Sequence, residues 1–176
     1  MKMTWKNKQR EKTSKRRFDL PFDHADDSIT PTGSELPLFS RDLESQGNQF
    51  AEEGRYREAL GKWETAISLT PERAVLHEQK AQVLLELGET WNALKAATRA
   101  TELESGWAEA WITLGRSQLN FGEPDFAVQS FDRALAIKPD SGEARDDKQA
   151  ALNLVKRRKQ LHHSDQGRFL VEDYKV

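Results

Sequence analysis

The chain has 176 residues, 36% hydrophobic and 32% charged, with a net charge of −2, which fits one ordinary domain with polar ends rather than 176 residues of packed core. It contains no cysteine, excluding disulfides and thiolate zinc sites. No apolar run approaches the ~20 residues of a membrane span, and no apolar stretch follows the basic opening as in a secretory signal, so a nuclear or cytoplasmic protein with no membrane partner is expected.

Residues 2–17 carry eight Lys or Arg against the single acid Glu11, and end in Lys15, Arg16 and Arg17. Such clustered charge suits a nuclear-import signal or a phosphate-contacting element; solvated disorder is the competing reading. Between Phe18 and Phe39, Pro21, Pro31 and Pro37 interrupt helices. Asp23, His24, Asp26 and Asp27 are metal-capable types, but without a folded frame to converge them no metal site is predicted. Residues 1–39 therefore read as a basic, then Pro/Asp-rich disordered region. Its apolar points, among them Phe18, Phe22, Leu38 and Phe39, can anchor it to the repeats or to a partner.

From Ser40 onward a 34-residue period takes over. Gly54, Gly88 and Gly122 share it, as do Ala59, Ala93 and Ala127, and Ala66, Ala100 and Ala134. Pro71 and Pro139 lie two periods apart, with Ser105 between them. The first repeat, 40–73, predicts a helix from Arg41 to Glu53 with Leu43, Gly47 and Phe50 on one face. Gly54 caps it. A second helix runs from Tyr56, with Ala59, Trp63, Ala66, Ile67 and Leu69 inward, until Pro71. The second repeat, 74–107, departs from the pattern. His77 takes the slot of Leu43 and Trp111, and Ala97 that of Trp63 and Phe131. Trp91 is expected to repack into the space left by Ala97, the alternative being an exposed binding aromatic, and His77 to fill between helices. The third repeat, 108–141, is the cleanest, with Pro124 in the first turn of its second helix.

Asp140 or Ser141 can cap a final helix over 142–160, with Ala144, Ala151, Leu152 and Val155 on one side and polar residues on the other. It runs into Lys156, Arg157, Arg158 and Lys159, which either complement the helix dipole or form a second import or polyanion element. Residues 161–176 are expected as a flexible tail, in which Phe169, Leu170, Val171 and Tyr174 can form a docking motif.

This register resembles the tetratricopeptide repeat family over about residues 40–160. A finer likeness within the family rests on Trp5-Lys6, on Arg55-Tyr56-Arg57-Glu58-Ala59 leading to Lys62-Trp63, and on Leu114 through Leu119. The resemblance implies an all-α fold: an α-α superhelix of three helix pairs plus a C-terminal solvating helix. It also implies a concave groove lined by the first helix of each pair, which takes peptides or partner helices. Co-chaperone members hold C-terminal carboxylates with a Lys-Asn-Asn-Lys-Arg clamp. Those positions fall here on Glu44, Asn48, Gln79, Glu109 and Thr113, so only Asn48 matches and two lysines have become glutamates. An Hsp70 or Hsp90 co-chaperone role is disfavoured.

In this register the groove presents Arg41, Glu44, Asn48 and Glu52, then Glu78, Gln79, Gln82, Leu85 and Glu86, then Glu109, Ile112, Thr113, Arg116, Leu119 and Asn120. Five glutamates against two arginines predict a basic or mixed peptide ligand, and residues 2–17 of the chain itself are a candidate occupant. No phosphate-binding glycine loop, nucleophile elbow or His-Glu-x-x-His pair occurs. The expectation is a monomeric, non-enzymatic adaptor without cofactors. The alternative is a nucleic-acid-associated factor acting through the basic termini.

Overall fold

The computed structural model describes residues 35–172, with side chains through Leu161. Lys15, Arg16 and Arg17, the cluster from Asp23 to Asp27, and the side chains from Phe169 to Tyr174 lie outside the described residues. Seven helices follow one another among the described residues. They are α1 (Leu36–Glu52), α2 (Tyr56–Leu69), α3 (Ala74–Glu86), α4 (Thr90–Leu103), α5 (Ala108–Phe121), α6 (Pro124–Ile137) and α7 (Gly142–Glu172). They form an α-α superhelix of three helix pairs closed by α7.

The 34-residue period is a period of helix stops. Gly54, Gly88 and Gly122 take φ of +76°, +74° and +93°, a conformation that costs a glycine little because it lacks a Cβ. Each lets the following residue reach back to the helix just finished. The N–H groups of Arg55, Glu89 and Glu123 donate to the carbonyls of Phe50, Leu84 and Gln118, all at 2.8 Å. The second helices end alike, with the N–H groups of Thr70, Glu104 and Lys138 bonded to Ala66, Ala100 and Ala134.

Two boundaries differ from the sequence expectation. Helix α1 begins at Leu36, five residues before Arg41, with Pro37 in its first turn, where a proline loses no helical hydrogen bond. Helix α7 runs to Glu172 rather than stopping at 160. The 34-residue offset from Gly122 and Pro124 lands on Lys156 and Arg158, so neither a left-handed cap nor a proline interrupts it. At its start the Ala144 N–H donates to Ser141 Oγ at 3.3 Å, which settles the cap on Ser141. Ala144 and Ala151 are buried as expected, but Leu152 faces solvent.

The first and third pairs each pack a glycine against a large aromatic ring. A Cβ added to Gly47 would stand 2.6 Å from Trp63 Cδ1, and one added to Gly115 would stand 2.5 Å from Phe131 Cε1. Both aromatics are fully buried. In the second repeat these slots hold Ala81 and Ala97, also fully buried. The alanine in place of glycine and the alanine in place of an aromatic compensate, so no aromatic is needed there. Trp91 accordingly does not repack inward. It is 56% exposed and leans on Phe121, ring centroids 5.4 Å apart.

His77 does not fill between helices either. Its Nε2–H donates to the Pro71 carbonyl at 2.9 Å, closing the turn before α3. Trp111, one period on, donates its Nε1–H to Ser105 at 2.8 Å. One slot thus makes one contact with two different rings. Trp111 also packs against both apolar clusters, that of the first two repeats and that of the third repeat with α7.

Candidate functional site

The odd-numbered helices form the inner layer: α3 packs on α5, and α5 on α7. Along α1, Arg41, Glu44, Ser45, Asn48, Gln49 and Glu52 line an open depression of about 350 Å³. Their three- and four-residue spacing puts them on one helix face. Four of them are the first-repeat groove residues of the sequence reading. Asn48 Oδ1 accepts the Trp63 Nε1–H at 3.2 Å. That bond assigns the amide and leaves its two N–H donors for a ligand.

The electrostatics of the inner layer differ from the sequence count. Glu44 forms an ion pair with Arg73, the last residue of the first repeat and the cap residue of α3, with the two side chains 16% and 27% exposed. Glu109 pairs with Lys138 at 3.3 Å, and Arg116 with Asp147 at 2.6 Å. Glu78 does not present itself to the groove at all. Only 4% exposed, it accepts the Thr113 hydroxyl at 2.7 Å across the seam between α3 and α5, and the Gln82 amide from its own helix. Burial pushes its carboxyl above the usual range. The two hydrogen bonds oppose the shift, the Glu109 charge adds to it and Arg116 opposes it. Ile112 and Thr113 are buried as well.

The repeat register explains why Glu44 and Glu78, in one slot, behave differently. The slot of Arg73, which neutralises Glu44, holds Trp107 one period later. Glu78 therefore meets a hydroxyl and an amide where Glu44 meets a guanidinium. Its position between two neighbouring repeats, rather than at the end of the array, removes it from water.

Gln79 Oε1 is buried without a hydrogen-bond partner among the described residues. Asn120 is exposed and donates to the Arg116 carbonyl at 2.9 Å. Gln82, Leu85 and Leu119 are half-buried. Among the described residues, Arg41, Glu52 and Glu86 are exposed groove charges without an ion-pair partner. The structure thus brings the α1 residues together and turns Glu78, Ile112 and Thr113 inward. On α7, Lys156, Arg157, Arg158 and Lys159 are exposed, and Arg158 pairs with Asp125 at the start of α6. No group of three metal-capable side chains converges among the described residues, and none of their helices is long and apolar enough to cross a membrane.

No family model matches the chain. The fold aligns with the first TPR domain of the human RPAP3 protein at a TM-score of 0.68 and 19% identity, covering 70% of this chain and 98% of that domain. These helices have the fold of a tetratricopeptide-repeat domain. The first TPR domain of Spaghetti (RPAP3), solved bound to the HSP90 peptide SRMEEVD, aligns with it at a TM-score of 0.66 and 19% identity, over 68% of this chain and 97% of that one. In sequence the chain is similar to tetratricopeptide repeat protein 33 of Xenopus laevis, 47% identical over 100 residues. That match takes in 57% of this chain and 39% of the relative. The chain thus spans about two fifths of the curated relative's length.

Proposed function

We propose that this tetratricopeptide-repeat chain is a non-enzymatic adaptor that binds a peptide or helix of a protein partner on its inner layer. The observation that carries this reading is the depression along α1, where Arg41, Asn48 and Glu52 lie in one row with polar groups available to a ligand. Exposed Glu52 and Glu86 favour basic groups on the ligand, and Arg41 at the other end of the row favours an acidic one, so the ligand is of mixed or basic character. An acidic peptide such as the SRMEEVD held by the Spaghetti domain is disfavoured, because Glu44 and Glu109 stand where the resemblance places the clamp lysines, so those two positions offer no cation to a carboxylate.

The test is selection of peptides from a displayed library on the full chain, followed by affinity measurement on groove variants. Selected peptides are expected to lose affinity to Asn48→Lys and Glu86→Lys and to be indifferent to Glu104→Lys at the end of α4. Peptides equally tolerant of all three substitutions would overturn the reading.

A further inference from the structure

One edge of the inner layer concentrates negative potential. Glu52 is the last residue of α1 and Glu86 the last of α3, one period apart, and both are exposed. Helices α1, α3 and α5 have no basic residue in their last turn. The partial negative charge of three helix C-termini therefore adds to the two carboxylates instead of being offset.

The chain itself contains a complementary segment. Residues 2–17 hold eight bases and one acid, whereas residues 40–139 hold sixteen acids and eleven bases. Only residues 18–34 and Glu35 separate this segment from α1, which starts at Leu36 and lines the depression. Residues 18–34 can span up to about 60 Å when extended, and α1 is only about 25 Å long. The segment therefore reaches the edge, and so short a tether holds it there at an effective concentration on the order of millimolar.

We infer that residues 2–17 dock in cis along the Glu52–Glu86 edge and occupy the groove until a partner displaces them. This inference rests on the groove reading above and adds the chain's own basic segment as its first competitor. Lys6, Lys8, Arg10 and Lys12 supply charge complementary to these carboxylates and helix ends. The contact is mainly electrostatic, so salt weakens it.

The absence of cysteine makes Thr4→Cys a unique attachment point for a nitroxide on the full-length, isotope-labelled chain. At low salt the amide signals of Asn48, Glu52 and Glu86 are expected to lose intensity, while those of Glu64 on α2 and Glu102 on α4 keep theirs. High salt, or the pair Glu52→Lys and Glu86→Lys, is expected to restore them. Uniform or absent broadening, or broadening that survives the charge reversals, would overturn the inference. So would broadening seen only when spin-labelled and isotope-labelled chains are mixed, since that assigns the contact to a second copy. A second measurement separates this inference from the groove reading. Changing the eight bases of residues 2–17 to Gln is expected to raise affinity for a library-selected groove peptide by about tenfold or more. Unchanged affinity with intact groove dependence overturns the self-docking alone; loss of groove dependence overturns both.

Discussion

Gly47 lies so close to the fully buried indole of Trp63 that a Cβ on the glycine would stand 2.6 Å from Trp63 Cδ1. The absence of a side chain on α1 is what lets α2 insert its largest one. Gly47→Ala is expected to cost about 1–3 kcal/mol through overpacking, and Trp63→Ala about 3–5 kcal/mol through the cavity. The double variant recreates the Ala81 and Ala97 pair of the second repeat. It should destabilise by clearly less than the sum of the two, as urea melts of all three variants will show.

Glu78 makes stability depend on pH in an unusual direction for a carboxylate. Its folded-state pKa is raised, so the folded chain holds the proton more tightly than the unfolded one. That contribution is complete below the unfolded value of about 4.3 and is lost as pH rises through the raised folded value. The groups that bear on it are Glu109 and Arg116 of α5, besides its donors Thr113 and Gln82. Glu78→Gln keeps an acceptor for Thr113 and removes the ionisation. It is expected to flatten the decline in urea midpoint from pH ~4.3 upward and to raise the midpoint at neutral pH. Glu78→Lys, by contrast, would bury a cation in the seam and unfold it, so it is no probe of the groove.

Trp91 belongs to the surface. Its removal forfeits the contact with Phe121, worth about 0.5–1.5 kcal/mol, and no core volume. Trp91→Ala should therefore melt within a few degrees of the parent chain. A loss as large as that of Trp63→Ala would mean that Trp91 packs inward after all.

Glu44 of α1 and Arg73, which caps α3, form a mostly buried ion pair. A double-mutant cycle with Glu44→Gln and Arg73→Met should give a coupling of about 1 kcal/mol or more. The same cycle on Lys138 and Glu109, both about half exposed, should give less and should fade with added salt.

Local periodicity reached far into this fold and less far into its site. The caps at Gly54, Gly88 and Gly122 were legible because a left-handed backbone is a property of single residues. The α1 row of Arg41, Glu44, Asn48 and Glu52 was legible because helical spacing alone aligns it. The burial of Glu78 was not, since it depends on Thr113 arriving from another repeat and on Trp107 replacing the slot's cation. Ala81 was the overlooked signal in the second repeat. Set beside Gly47 and Gly115, it accounts for Ala97 without any movement of Trp91.

The sequence by itself determined the number of helix pairs and the helix stops at Gly54, Gly88 and Gly122, but not the length of α7. Those stops depend on backbone preferences of residues within a turn or two. Only the tertiary structure decided which groove charges are available to a ligand. A carboxylate's charge is set by what desolvates and pairs it, and for Glu44, Glu78 and Glu109 those partners come from 29 to 35 residues away. That is why a groove counted as five glutamates retains two exposed and without an ion-pair partner among the described residues, Glu52 and Glu86.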